Sequence, residues 1–287
     1  MQDAKSGETA AQAGVFERAV VVVGVGLIGG SIAAAVRAAN PSTQVIGVGR
    51  NPERLQHAVR KGLLTDWASQ ISQASIPPGS LGVVCLPVDQ IADTAAELLQ
   101  AGCSAVTDAG STKQAICSRL ATEPNFVGAH PIAGSELAGF EHAEKTLFEG
   151  RVCVLCPEKS PPDIVQRVAA FWQNLGMSLQ FLPAAEHDRV LALTSHLPHV
   201  LASVATGVVS DEKLVFAGSG FRDTTRIAAG SAEIWPTILM ENAGPCIEAI
   251  RQAETLLEQF RLALTNRDIT QLRLLWSTAA ERRRKLT

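Results

Sequence analysis

The segment GAHPIAGSE, residues 128–136, sets a single imidazole, His130, among small residues and a proline. An imidazole titrates near neutral pH, so a side chain of this type can take a proton from a reacting hydroxyl. A second segment, Gly24-Val25-Gly26-Leu27-Ile28-Gly29, has the GxGxxG spacing. There the first glycine permits a tight turn, the second lets a pyrophosphate approach the backbone, and the third packs a helix against a strand. A proton acceptor and a dinucleotide cradle in one chain point to hydride transfer. Two further segments, CLPVDQ (85–90) and TDAGSTK (107–113), fall with His130 where strands end, which is where ligands bind in open α/β sheets. Leu86 and Pro87 of the first are candidate cofactor contacts. Ser111 of the second is placed to orient the imidazole.

Strand–helix alternation must position these groups. AVVVV (19–23) is a continuous apolar run of the kind that both-face burial in a parallel sheet requires. It leads into the glycine loop and then the alanine-rich helix IGGSIAAAVRAA. QVIGVG, LGVVCL, SAVTD, NFVGA, RVCVLC and MSLQFL read as further strands. Helical patterns begin at Pro52 and near Val88, Ser111 and Pro162. This alternation predicts an α/β fold with right-handed crossovers, a Rossmann-type dinucleotide-binding domain. After Pro183 the strand signal stops. Ile247, Ile250, Leu256, Leu257, Phe260 and Leu264 mark one apolar face at helical spacing. The expected organisation is a tail over residues 1–14, a dinucleotide-binding domain over 15–183, and an all-helical substrate and dimerisation domain over 184–287. The small, apolar helical part predicts a homodimer formed through it.

Of the 287 residues, 46% are hydrophobic and 18% charged, a globular composition. A net charge of −3 gives no reason to expect a nucleic-acid partner. The basic run at 282–285 reads as a solvated helix end. No uninterrupted apolar run reaches membrane-spanning length, and the N-terminus lacks a secretion signal's pattern, so no membrane partner is expected. Six cysteines in a chain this long do not make a disulfide framework. Cys153 and Cys156 form a CxxC inside a strand pattern, where positions three apart face opposite sides. A reduced, cytoplasmic protein is the expectation. His187, His196 and His199 lack an acidic ligand cluster, so no metal is expected. His187-Asp188 reads either as part of the chemistry or as a cap or interdomain contact.

VGVGLIGGS, TDAGSTK, GAHPIAGSE, HDRVLALTSHLPH and FRDTTRIA, in that order over residues 19 to about 262, resemble the prephenate/arogenate dehydrogenase family of tyrosine biosynthesis. The resemblance implies oxidative decarboxylation of a cyclohexadienol, with hydride passing to NAD(P). It carries the family's catalytic histidine onto His130, that histidine's serine partner onto Ser111, and the carboxylate-binding arginine onto Arg226. His199 falls on the pocket histidine, with Ser135, Glu136 and Trp235 lining the site. The bland alternative for Arg226 is a pair with Asp223. Prephenate is the first substrate and arogenate the second.

Dinucleotide folds that take NAD carry an acid at the end of the second strand. This chain has Gly49 there, followed by Arg50, whose guanidinium suits the 2′-phosphate of NADP. NADP is therefore expected ahead of NAD, the alternative being that Arg50 stacks on adenine or is solvated. The sequence ends shortly after the helical segment, so no regulatory domain or fused chorismate mutase is expected. Other classes fare worse. β-Hydroxyacid dehydrogenases and imine reductases centre on a lysine in the helical part, where Lys213 stands without a surrounding site. A dinucleotide-sensing regulator would need a basic DNA-binding face.

Overall fold

The computed structural model describes residues 17–134 and 139–286. The chain divides into two compact units, one running to Asp188 and including Gly230–Glu241, the other Arg189–Ala229 with Asn242–Thr287.

The first unit holds eight strands: β1 (Ala19–Val23), β2 (Gln44–Val48), β3 (Asp66–Ala68), β4 (Leu81–Val84), β5 (Ala105–Asp108), β6 (Phe126–Pro131), β7 (Val152–Cys156) and β8 (Ser178–Phe181). They form one sheet in the order β3-β2-β1-β4-β5-β6-β7-β8. Helices α1 (Leu27–Ala39), α2 (Pro52–Arg60), α3 (Val88–Gln100), α4 (Gln114–Arg119) and α5 (Pro162–Asn174) cover it, followed by α6 (Ala184–Leu191). β1 shows why both faces must be covered. Val20 and Val22 join Ile32, Val36, Phe171 and Trp172 on one face, while Val21 and Val23 join Ile91, Leu98 and Ile116 on the other. Each buried valine contributes about 1.5–3 kcal/mol, so the strand is held by apolar burial on two sides.

All neighbouring strands run parallel except β6 and β7, which are antiparallel. This departs from the uniform crossovers that the alternation suggests. A parallel pair needs a long crossover, usually a helix. Among the described residues between β6 and β7 only a short 3₁₀ turn, Phe140–His142, stands in that place. Cys153 and Cys156 pack into opposite apolar clusters, as their strand spacing requires. All six cysteines are thiols, and burial pushes Cys156 up to about 12.

In the second unit α7 (Leu197–Gly207), α8 (Ser219–Thr225), α10 (Ala243–Thr265) and α11 (Ile269–Arg284) are helical; α9 (Trp235–Glu241) belongs to the first unit. A π turn, Ala192–His196, joins α6 to α7. Pro198 has no N–H to give to the carbonyl four residues back, and the N–H of Leu197 reaches Ala192 instead. The continuous helical stretch Ala184–Gly207 is long and apolar enough to cross a membrane by length and composition. One nitrogen of the buried His196 on this stretch bonds to protein, however. Asn242 Nδ2 lies 3.0 Å from His196 Nδ1. On α10 the residues buried are Cys246, Ala249 and Ala263, whereas Ile247, Leu256, Leu257 and Leu264 of the expected core face are exposed. Small residues let the helix approach its neighbours closely, and the large ones are left on the outside.

A buried carboxylate ties the end of β5 to β6. Asp108, fully buried, accepts from Gly110 N (2.8 Å) and Ala129 N (2.9 Å), and pairs with the equally buried Lys113 ammonium. Removing one partner of such a pair leaves an uncompensated charge out of water. Lys113→Met is expected to lower the unfolding free energy by about 3–5 kcal/mol, read from the urea midpoint. An unmoved midpoint contradicts that role.

Candidate active site

The glycine turn follows β1. Gly24 has φ +92°, and a Cβ there would lie 2.4 Å from the Cys85 carbonyl oxygen. A Cβ on Gly29 would lie 2.2 Å from the Gly24 carbonyl, so the helix can sit on the turn only without side chains at both places. Gly26 differs, because a Cβ there meets nothing within 4 Å. This glycine is the N-cap of α1, with no side-chain cap and no acid in the first turn. Open space lies over an uncapped helix N-terminus, whose N–H groups and dipole favour an anion. These residues fit a dinucleotide pyrophosphate. Leu27 and Ile28 begin the helix, Leu86 packs beside Gly24, and Pro87 caps α3.

β2 ends at Val48, and Gly49 and Arg50 follow it. Arg50 is exposed and makes no ion pair among the described residues. A Cβ on Gly49 would meet only Leu55, at 3.8 Å, so an acid would fit there and its absence is not forced by packing. Arg54, one turn on, is engaged with Glu141 at 3.0 Å and over the Phe140 ring.

His130 lies on β6, partly exposed, two residues beyond Gly128. Its Nδ1 is 2.9 Å from His187 Nε2, and His187 Nδ1 is 2.7 Å from Asp188 Oδ1. Asp188 in turn accepts from Lys113 N (2.7 Å) and Gln114 N (2.9 Å). It therefore caps α4 from a distant part of the chain, which is why that helix begins at Gln114 rather than at Ser111. Burial tends to raise the Asp188 carboxyl, but the hydrogen bonds from His187, Gln114 and Lys113 outweigh it and hold it below the usual range. Burial moves His187 in the neutral direction, opposed by Asp188 and reinforced by the Lys113 charge.

The ring set against His130 Nδ1 is that of His187. Ser111 is half-buried on the same loop as Lys113 and makes no hydrogen bond among the described residues. Composition and spacing had pointed to the serine because it shares a loop end with the strands. The His187 contact bridges 57 residues of sequence, and only the doublet His187-Asp188 hinted at it. Asp108 and Lys113 were visible as part of TDAGSTK but carried no expected role.

The helical unit carries His199 and Arg226. His199 Nδ1 donates to the Ser195 carbonyl (2.9 Å), which leaves Nε2 with the lone pair. Burial lowers its pKa, and the nearby Arg226 charge lowers it further. Asp223 lies on α8, and Arg226 follows at the C-cap of that helix. Trp235 packs against the sheet cluster that contains Ile91 and Ile238. Ser135 and Glu136 lie outside the described residues. Among the described residues no group of three or more His, Cys, Asp or Glu gathers to hold a metal.

A parallel sheet with an open glycine turn, and a histidine on a strand entering the same sheet end, defines a dinucleotide-dependent oxidoreductase. A family model described as prephenate dehydrogenase, nucleotide-binding domain, matches residues 32–180. Another, prephenate dehydrogenase, dimerization domain, matches 183–277. The chain belongs to the prephenate dehydrogenase family. It is 30% identical to prephenate dehydrogenase of Bacillus subtilis over 92% of this chain and 75% of that one. It is 31% identical to cyclohexadienyl dehydrogenase of Zymomonas mobilis over 87% and 89%. Prephenate dehydrogenase from Aquifex aeolicus, solved with hydroxyphenyl propionate and NAD+, superposes with a TM-score of 0.85 at 28% identity, covering 96% of this chain and 99% of that one.

The two glycines make opposite predictions. Gly29→Ala should lose the fold or much of its stability, because its Cβ meets backbone. Gly26→Ala should keep a near-native melting temperature yet weaken dinucleotide binding at least tenfold by fluorescence titration. Equal behaviour of the two variants contradicts the assignment.

Proposed function

We propose that this protein oxidatively decarboxylates prephenate to 4-hydroxyphenylpyruvate, with NADP as its preferred acceptor. The observation that carries the reading is His130, an oriented imidazole on β6 in a chain of this family. When bound, the nicotinamide ring would accept the hydride that leaves C4 of the substrate. His130 takes the proton of the C4 hydroxyl as the C4 carbon becomes carbonyl-like. The carbonyl then draws in the electron pair of the bond to the departing carboxylate, CO2 leaves, the ring becomes aromatic, and the phenolate oxygen takes back the proton held by His130. A fixed base suits this sequence because the hydroxyl must lose its proton in step with C–H cleavage. Arg226, whose planar fork suits a bidentate contact, binds substrate carboxylate, with His199 beside it. Ser111, Ser135, Glu136 and Trp235 contact or line the site.

Gly24, Gly26, Leu27, Ile28, Gly29, Leu86 and Pro87 would hold the dinucleotide, and Arg50 its 2′-phosphate. The open position at Gly49 supports NADP, since no carboxylate stands there to repel a second phosphate. We further propose a cytoplasmic homodimer joined through the helical unit. The exposed Ile247, Leu256, Leu257, Leu264 and Trp276 support it, because a monomer seldom leaves such residues uncovered together. The chain's similarity to a cyclohexadienyl dehydrogenase favours arogenate as the second substrate.

Absorbance of reduced nicotinamide, read with prephenate and arogenate under each cofactor, tests the reaction; no signal in any of the four combinations rejects it. His130→Asn should lose about 10²–10⁴-fold in kcat with cofactor affinity retained. Arg226→Gln should act mainly by raising substrate KM, and near-wild-type values for either variant remove that residue from its role. For the cofactor, kcat/KM should favour NADP. Arg50→Ala should cost NADP about tenfold or more and NAD little, and Gly49→Asp should turn the preference toward NAD. A wild-type preference for NAD that neither change alters refutes the assignment.

A further inference from the structure

His187 enters none of the steps above, yet it is fully buried and wedged between Asp188 and His130. Capping of α4 accounts for the two contacts Asp188 makes to Lys113 N and Gln114 N. It does not account for the imidazole aimed from the same helix at the His130 ring. We propose that His187 and Asp188 are positioning residues which fix His130 in its proton-accepting tautomer and stabilise the charge it acquires; this rests on His130 being the base.

The hydrogen-bond inventory sets the direction of the relay. Asp188 accepts two backbone N–H groups and is ionised, so the bond between it and His187 runs from Nδ1–H of the ring to Oδ1. A neutral His187 then presents a lone pair at Nε2. The 2.9 Å contact must be filled by His130 donating from Nδ1–H, which leaves the lone pair of His130 on Nε2. When His130 takes a proton at Nε2, its Nδ1–H becomes a charge-assisted donor to His187, and Asp188 lies behind that ring to balance the charge.

The scheme works only while His187 is neutral. Protonated, its Nε2–H would face the Nδ1–H of His130 and force the other tautomer. Four groups decide the balance. Asp188 on the same helix and Asp108 at the end of β5 favour the charged ring. The Lys113 ammonium ahead of α4, and His130 on β6 once protonated, disfavour it, as does burial.

The sign of the pH effect follows. Activity needs His130 unprotonated, so kcat falls as pH falls through that group's pKa in the substrate complex. Losing the acceptor or the negative charge behind it destabilises the imidazolium, which moves the acid limb of the kcat profile to lower pH. His187→Ala should lower kcat about 10–100-fold with KM changed less than about twofold, and should shift the acid limb downward. His187→Gln, whose amide oxygen can still accept from Nδ1–H, should recover most of that kcat. Asp188→Asn should shift the limb in the same direction and also lower the melting temperature, since a cap of α4 is weakened.

Wild-type kcat with an unmoved acid limb in His187→Ala overturns the proposal. If that variant does not fold, His187→Gln with an alanine-like collapse of kcat in a folded, cofactor-binding protein overturns it equally. His130→Asn run alongside separates the two levels. An active His130→Asn removes the base itself, whereas an inactive one beside an unaffected His187→Ala removes only the relay.

Discussion

The carboxylate of Asp108 sits at the end of β5 with no exposure to water, and its oxygens take hydrogen from Gly110, Ala129 and Lys113. A charge in that position is tolerable only if each oxygen is satisfied, so the loop after β5 and the strand β6 are drawn to one point. Ala129 N is one of the donors, and His130 is the next residue. Asp188 repeats the device one layer out. It binds the two N–H groups that open α4 and, through His187, the ring of His130. Two buried carboxylates thus set where the candidate base stands and which of its nitrogens faces inward.

The glycine turn obeys a different constraint, that of close approach. Gly24 and Gly29 are forced by backbone oxygens within 2.4 Å and 2.2 Å of where a Cβ would be, while Gly26 is open. The first two are demands of the fold, and the third is room for a ligand. That separation turns a short spacing pattern, weak on its own, into a site with an interior and a reason for each residue.

Much of this was legible in the residues themselves. The valine-rich β1 announced burial on both faces, the glycine spacing announced the turn, and the placement of Cys153 and Cys156 on opposite faces followed from strand period alone. What the chain's pattern could not display were contacts between distant segments. Asp188 capping α4 from 74 residues away shifted the start of that helix from Ser111 to Gln114. The same doublet supplies the contact to His130 Nδ1 across 57 residues of sequence. The antiparallel β7 was hidden because a buried strand has the same composition in either direction. On α10, helical periodicity found an apolar face but not what covers it. The chain buries the small residues Cys246 and Ala249 and leaves Ile247 and Leu257 outside.

The buried Asp188, acting through His187, leaves the lone pair of His130 on Nε2 in the proposed relay. Long-range ¹H–¹⁵N correlation of the histidine rings reads this directly, using protein labelled at histidine ¹⁵N, with His130→Asn to assign its resonances. The account predicts a neutral His130 protonated at Nδ1 at pH values above its titration, next to a neutral His187 also protonated at Nδ1. A neutral His130 protonated at Nε2 would contradict it.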